Sequence, residues 1–221
     1  LLWFGWFGFN AGSSVSSNGL AGSTFLTTTF ATCAAMIGWL VVEKVRDGKP
    51  TSLGAASGIV AGLVAITPSC SSVNVLGALV IGAVAGVLCA LAVGLKFKLG
   101  FDDSLDVVGV HLVGGVVGTL MIGLFLCPES GASSTLGGAK GLLYGGGFAQ
   151  LGKQAVGAVS VLAFSFVVAL ILGLIIKYTI GIRASEEEEF RGMDESEHAE
   201  SAYDFAAVGG TARTATAVKE A

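Results

Sequence analysis

The sequence predicts an all-α protein, a polytopic transmembrane helix bundle with about six spans, the first of them truncated at its start. Three observations lead to this fold class. Of the 221 residues, 53% are hydrophobic and only 13% are charged, about half the charged share of a soluble globular chain. The ranges 1–42 and 51–95 contain no charged residue and no histidine, which excludes a water-soluble domain because its outer surface needs charge. The apolar runs are continuous rather than alternating, which favours helices over membrane strands.

The individual spans follow from a length of about 20 apolar residues per membrane crossing. The polar run at 13–19 separates the short first span from a second span at about Leu20 to Val42. The run at 67–72 divides the block 51–95 into a third and a fourth span in the same way. The fifth and sixth spans are predicted at Val107 to Cys127 and at Ala155 to Ile176.

The distribution of charge predicts two parts of the chain and their orientation. We expect a transmembrane domain over 1–182 and an acidic tail over 183–221, which carries ten acidic and four basic residues. The loops at 43–50 and 96–103 hold five basic residues between them, against two in the segment 128–154. Because basic loops stay on the cytoplasmic side, these two loops and the tail are expected in the cytoplasm.

The expected location is therefore the inner or plasma membrane of the cell, with several crossings and a cytoplasmic C-terminus. A chain of this kind has the lipid bilayer as a partner. Its acidic tail argues against nucleic acid. The four cysteines form no CxxC pair and lie near no histidine cluster, so they are expected to be small packing residues. We predict no metal site, no cofactor and no catalytic residue.

His111 is the sharpest candidate for a functional residue. It lies four residues into the fifth span, and the positions three, four and seven further along are Gly114, Gly115 and Gly118. An ionisable group inside a membrane helix normally faces a partner or a cavity, so we expect this stripe of glycines to leave room beside the imidazole for another helix or a small permeant. His111 then either makes a hydrogen bond across a helix interface or passes a proton and binds an uncharged solute.

Two carboxylates, Asp103 and Asp106, lie at the cytoplasmic start of the same helix. Carboxylates in a first turn complement the helix dipole and cap free N–H groups, which is the role we expect for both. Guiding a cation is the alternative.

The opening segment concentrates five aromatic residues within seven positions, from Trp3 to Phe9. One interpretation is an aromatic belt at the membrane interface. The other is a binding site at the outer mouth, where Phe9 and Ser13 share a face with Trp6. An aromatic ring beside a hydroxyl suits a cation, through cation–π attraction and a hydrogen bond.

Two hydroxyl residues lie in the third span, Ser57 and Thr67. Their ten-residue offset does not place them on one helix face. Interhelical hydrogen bonds are the expected role of each.

Three stretches resemble signatures of the ammonium transporter (Amt/Mep/Rh) family: LWFGWFGFNAGS at 2–13, GLVAITPSC at 62–70 and DDSLDVVGVH at 102–111. The tail from 186 to 203 resembles the cytoplasmic tail of prokaryotic members. The resemblance implies the C-terminal six of eleven helices. It also implies a transporter rather than an enzyme, with ammonium or ammonia as substrate and methylammonium as a candidate second substrate.

The resemblance further implies roles by position. Phe9 matches one of the stacked phenylalanines that gate the outer pore mouth, and Ser13 matches a hydroxyl that binds ammonium there. His111 matches the second of two paired pore histidines, while Ser57 and Thr67 match positions near the pore. Family members are homotrimers with one pore per subunit, and PII-type signalling proteins dock on their cytoplasmic face.

The implied mechanism avoids moving a bare charge through a low-dielectric pore. Ammonium is deprotonated at the outer vestibule, ammonia crosses a hydrophobic bore, and the proton moves along a path that includes His111. The partner histidine of the family lies in an earlier helix, and the only other histidine here is His198 in the tail. Because the sequence also lacks an initial methionine, we expect it to be part of a longer protein.

Two rival functions remain open. An ammonium-sensing membrane receptor that signals through its tail would carry the same spans and site residues. The acidic tail is too short for a separate signalling domain, which favours the transporter. A structural or assembly subunit of the membrane is the third possibility, and it leaves His111 without a role.

Overall fold

In the computed structural model, residues 1–201 are described, and every regular element among them is helical. The predicted all-α fold is therefore confirmed. The chain divides into two compact units, Leu1–Phe164 and Ser165–Ala221. The first unit contains seven α-helices in chain order: α1 Leu2–Asn10, α2 Gly19–Asp47, α3 Ser52–Ile66, α4 Val75–Ala92, α5 Leu95–Leu99, α6 Val113–Phe125 and α7 Gly131–Thr135.

Helix α8, Ala149–Thr179, runs across the division between the two units. Two short helices follow in the second unit, α9 Glu186–Arg191 and α10 Met193–His198. A π-helical segment, Val107–Leu112, leads directly into α6 and is called the π segment below. The predicted domain boundary after residue 182 does not coincide with the division at Phe164 and stays a prediction. The part of the predicted tail beyond residue 201 lies outside the described residues.

Four of the predicted spans are long and apolar enough to cross a membrane: Gly19–Asp47, Val75–Leu99, Val107–Phe125 and Ala149–Thr179. The first and third spans are shorter, with 9 residues in α1 and 15 in α3. At 1.5 Å per residue, α3 is roughly 22 Å long, against a hydrocarbon core of about 30 Å. It ends just before Pro68, which has no backbone N–H to continue the helical hydrogen bonds.

Polar side chains start the helices at the places where the uncharged blocks are interrupted. The side chains of Asn18, Thr51 and Asn74 each accept a hydrogen bond from a backbone N–H in the first turn of α2, α3 and α4, respectively. Such caps satisfy donors that otherwise lack a partner in the helix. Gly48 ends α2 in the left-handed conformation, with φ of 82°, which costs glycine little. The helix limits of the bundle are thus encoded locally.

Helix α2 packs closely against both α3 and α4 through small residues. A Cβ atom on Gly82 or Gly86 of α4 would overlap the backbone of Ala31 or Ala35 of α2, respectively. Both alanines have no exposed surface. Small residues at four-residue spacing allow two membrane helices to approach to backbone contact. Gly58 and Gly62 of α3 approach α2 in the same way, next to Trp39 and Ala35.

The basic loops and the polar turns lie at opposite ends of the first unit. At one end, Arg46 donates a hydrogen bond to the Ala90 carbonyl at 3.1 Å, which joins the ends of α2 and α4. At the other end, the Cys127 N–H donates to the Ser72 carbonyl at 2.8 Å, and the Asn74 amide donates to the Tyr144 hydroxyl at 2.8 Å. This separation agrees with spans that alternate in direction.

Candidate functional site

The aromatic segment at the start of the chain is joined to the end of α3 by a side-chain hydrogen bond. The indole N–H of Trp6 donates to the Thr67 hydroxyl at 2.8 Å, and that hydroxyl donates to the Leu63 carbonyl at 2.7 Å. Thr67 therefore makes the interhelical hydrogen bond that was predicted for it. The Thr67 hydroxyl thus accepts a hydrogen bond from α1 and donates one to α3. Together the two bonds fix the orientation of its side chain.

A cavity of about 230 Å³ lies beside this junction. Residues of α1, α2 and the turn after α3 line it, including Phe9, Asn10, Ser13, Thr24, Thr67 and Cys70. It brings together three residues that the sequence singled out: Phe9, Ser13 and Thr67. Ser57 does not line it, since it lies ten residues, or about 15 Å, further back along α3.

The aromatic residues lie beside a hydroxyl group at this cavity. Phe9 is 63% exposed, and its ring lies 5.8 Å from the Trp6 ring at an interplanar angle of 55°. The Ser13 hydroxyl donates to the Phe9 carbonyl, so its oxygen keeps a lone pair that can accept a hydrogen bond from a ligand. An aromatic face and an acceptor oxygen are thus presented together at the cavity.

Two polar residues that line the cavity, Asn10 and Thr24, were not singled out from the sequence, and Thr28 links them from behind the lining. Asn10 is only 6% exposed, and its amide donates to the Thr28 hydroxyl at 3.1 Å. Thr28 in turn donates to the Thr24 carbonyl at 2.7 Å, and Thr27 donates to the Cys70 carbonyl at 2.7 Å. The signal in the sequence was the repetition of threonine at three- and four-residue spacing along α2, which places these hydroxyls on the buried face of the helix.

Cys70 contributes a neutral wall to the same cavity. Burial raises the pKa of its thiol above 9.0, because an apolar environment disfavours the thiolate. The protonated sulfur lies 3.3 Å from the Thr67 carbonyl. The free cysteines Cys70, Cys89 and Cys127 are all buried, in line with the predicted packing role.

His111 lies in the π segment, and its side chain is exposed. The expected room beside it is occupied by another helix at two of the three glycines. A Cβ on Gly118 would overlap the Ala65 carbonyl of α3, and one on Gly114 would lie 3.3 Å from Val64; only Gly115 has open space. Helix α6 packs on α3 through Gly114 and Gly118, which is the first of the two expected uses of the stripe. The wide π turn changes the angular register between His111 and α6.

The two aspartates before the π segment have different roles. The carboxylate of Asp103 accepts hydrogen bonds from the Val107 and Val108 N–H groups at 2.7 and 2.9 Å, which is the predicted helix cap. The prediction that Asp106 also caps N–H groups is wrong, since its side chain makes no capping hydrogen bond, although it lies at the helix N-terminus as predicted. Its carboxylate forms an ion pair with Lys96 at 2.7 Å instead. Lys96 was counted only as a loop charge in the sequence.

Comparison with known proteins gives one consistent result. The sequence model of the Ammonium Transporter Family matches residues 1–203. An ammonium transporter of Mycobacterium tuberculosis is 70% identical over 212 residues, which cover 96% of this chain and 44% of that protein. The chain therefore spans less than half the length of this curated relative.

Solved structures give the same picture of the fold. Mep2 of Saccharomyces cerevisiae is 36% identical and superimposes with a TM-score of 0.77, over 85% of this chain and 42% of Mep2. A sensor Amt protein is 33% identical, also with a TM-score of 0.77, over 89% of this chain and 46% of its own.

Proposed function

The chain belongs to the Ammonium Transporter Family, a membrane transport family rather than a family of enzymes, and we propose that it forms the outer binding site and part of the pore of an ammonium transporter. The observation that carries the proposal is the joining of the aromatic segment to α3 through Trp6 and Thr67. That bond places Phe9 and Ser13 beside Thr67 at one cavity.

In this proposal the cavity recruits ammonium from outside the cell. The Phe9 ring attracts the cation through its negative face, and the Ser13 oxygen accepts a hydrogen bond from it. Among the residues that the structure describes, none of those that line the cavity carries a basic side chain that would repel a cation. The neutral thiol of Cys70 and the hydroxyls supply polar atoms without a counter-charge, so bound ammonium is not held as a tight ion pair and can lose its proton.

Passage through the bundle then follows as neutral ammonia. A bare ammonium ion in an apolar bore would lose its hydration without compensation, whereas ammonia has little charge to desolvate. His111 is the ionisable side chain within the span Val107–Phe125. We assign it to the proton path, because an imidazole both donates and accepts protons at its two nitrogens.

The orientation of the proposed transporter follows from its two ends. The end with Arg46 and Lys96 is cytoplasmic, since basic loops remain on that side, and the cavity with Phe9 and Ser13 opens to the outside of the inner or plasma membrane. The C-terminal tail is then cytoplasmic, and a PII-type signalling protein is proposed to dock on the cytoplasmic side. The family resemblance supports a homotrimer, and methylammonium is proposed as a second substrate.

The direct test uses the complete gene product in proteoliposomes. An inward ammonium gradient should give uptake and a transient current on a supported membrane, and an equal sodium gradient should give neither. Methylammonium should compete with ammonium. Liposomes that contain correctly assembled protein and yet show no ammonium flux would contradict the proposal.

A second candidate function is an ammonium sensor, favoured by the similarity to the sensor Amt protein. A sensor would bind ammonium at the same cavity and change the state of its tail without net flux. Binding measured by calorimetry in the absence of any uptake would therefore support the sensor over the transporter.

A further inference from the structure

Lys96 in the short helix α5 makes two contacts with the residues that precede the π segment. Its ammonium group forms an ion pair with the Asp106 carboxylate at 2.7 Å and donates to the Asp103 backbone carbonyl at 2.9 Å. The Lys96 side chain is only 18% exposed. A partly buried cation with two oxygen partners is held more firmly than a solvated surface pair. Lys96 thus joins α5 to the entrance of the next helix.

Asp106 occupies a backbone conformation that needs support. Its φ is 56°, in the left-handed region, which residues other than glycine adopt at a cost. Two carbonyl contacts define the turn around it: its N–H donates to Asp103 at 3.3 Å, and its own carbonyl accepts from Val110 at 2.8 Å. The ion pair with Lys96 acts directly on this residue, so it stabilises the left-handed turn from which the π segment starts.

The π segment itself has a narrow range of positions. A Cβ on Gly109 would lie 2.8 Å from the Val93 side chain and 2.9 Å from its Cα. Val110 is buried, and the Val113 N–H bonds the Val108 carbonyl five residues back. His111 lies between the packed residues Gly109 and Val110 on one side and the hydrogen-bonded Val113 on the other. Because the π segment is helical from the residue after Asp106 up to Leu112, a change in the starting turn would be transmitted to the histidine as a rotation or shift rather than be absorbed by a flexible loop.

We infer that Lys96 is a positioning residue for His111: through its contacts with Asp106 and Asp103 it holds the start of the π segment and thereby the direction of the imidazole. The inference rests on the proposed function insofar as it concerns transport. The position of the imidazole can be measured independently of transport.

The transport experiment compares Lys96→Met with Lys98→Met in the complete gene product. Lys98 lies two residues along in the same short helix, is exposed and has no ion-pair partner among the described residues, so its loss removes the same charge without touching the turn. We expect Lys96→Met to lower the maximal ammonium uptake rate by about tenfold, because small displacements of a proton-transfer group reduce rates strongly. Lys98→Met and Lys96→Arg should stay near the wild-type rate.

A double-mutant comparison tests whether Lys96 acts through its ion pair with Asp106. Asp106→Asn should lower the rate as Lys96→Met does, and the double variant should be no worse than either single one, since both remove the same ion pair. Asp106→Gly keeps the left-handed turn accessible and should retain more activity than Asp106→Ala. Additive effects of Lys96→Met and Asp106→Asn would overturn the inference.

The second readout does not depend on transport. Nitrogen-15 NMR of histidine-labelled protein in nanodiscs should show the His111 imidazole signals, assigned by their loss in His111→Asn, displaced in Lys96→Met and unchanged in Lys98→Met. The His198 signals serve as an internal reference. If Lys96→Met leaves the His111 signals unchanged, the inference is wrong whatever the uptake rate. If wild-type protein transports nothing, the proposed function fails and these signals still decide the inference. Should Lys96→Met not insert, Asp106→Asn carries both measurements.

Discussion

The indole of Trp6 and the hydroxyl of Thr67 are 61 positions apart in the sequence and form a hydrogen bond of 2.8 Å. The bond connects the short helix α1 with the end of α3, and it is continued by the bond from Thr67 to the Leu63 carbonyl. Neither α1 nor α3 is long enough to span a bilayer alone. The pair therefore orders the part of the bundle where the cavity lies.

Thr67→Val is expected to weaken this junction. Valine has the same shape but leaves the Trp6 N–H without its acceptor, which costs about 1–3 kcal/mol when the group is desolvated. Because Phe9 is on the same short helix as Trp6, the concentration of ammonium at half-maximal uptake should rise. Thermal unfolding in detergent and uptake kinetics measure the two effects.

Trp6→Phe provides the matched comparison for this substitution. It removes the donor, while Thr67 keeps its bond to Leu63, so the loss of stability should be smaller than in Thr67→Val. Equal stability and equal kinetics in both variants and in the wild type would show that the junction does not order the cavity.

His111→Ala is expected to abolish or alter charge-coupled uptake while trimers still assemble. Removing a group that transfers protons typically slows the step by roughly a hundredfold or more. Current and uptake in proteoliposomes report the loss, and native mass spectrometry reports assembly. His198→Ala removes the other histidine of the chain, in the tail, and should leave transport unchanged. Wild-type ammonium currents in His111→Ala would rule out the proposed proton path.

Gly82→Ala is expected to destabilise the bundle. The added methyl group would overlap the backbone of Ala31, which cannot rotate away, and overpacking of this kind costs about 1–3 kcal/mol or more. Gly157→Ala is the control, since a Cβ there meets nothing within 4 Å and the helix gains about 0.5–1 kcal/mol from alanine. Unfolding transitions of the two variants should move in opposite directions. A Gly82→Ala protein as stable as Gly157→Ala would contradict the close contact of α2 and α4.

At low pH, the tail helix α9 should lose the half of its capping box that Glu188 supplies. Glu188 accepts hydrogen bonds from the Ser185 hydroxyl at 2.7 Å and from the Ser185 N–H at 2.8 Å, and these hold the pKa of the Glu188 carboxyl below its usual 4.5. A carboxyl with a lowered pKa contributes its stability above the ordinary value, and that contribution is lost as the pH falls through the lowered pKa. We therefore expect α9 to be insensitive to pH near neutrality and to fray only in strongly acidic solution.

Backbone chemical shifts of Ser185 and Glu188 in the complete protein measure this transition. Glu188→Gln keeps an acceptor for the capping box and should remove the pH dependence while preserving the helix. A Glu188 carboxyl that titrates at or above 4.5 would show that the capping box does not form.

The sequence by itself determined the fold class and the approximate positions of the spans. Two uncharged blocks of more than 40 residues require a membrane environment, and the polar runs at 13–19 and 67–72 divide them into separate spans. It also singled out His111 and Phe9, because ionisable and clustered aromatic residues are unusual in apolar runs. Ser13 followed from its four-residue spacing to Phe9. Local composition and residue spacing suffice for these predictions.

Only the tertiary structure decided which residues meet. The contacts of Trp6 with Thr67 and of Lys96 with Asp106, and the burial of Gly114 and Gly118 against α3, depend on the packing register of separate helices. In the π segment the angle between successive side chains differs from that in an α-helix, so a regular helical period does not predict the direction of His111 relative to α6. Hydrophobicity decides that a helix lies in the membrane, whereas the close contact of small residues between helices decides the face it presents to its neighbours.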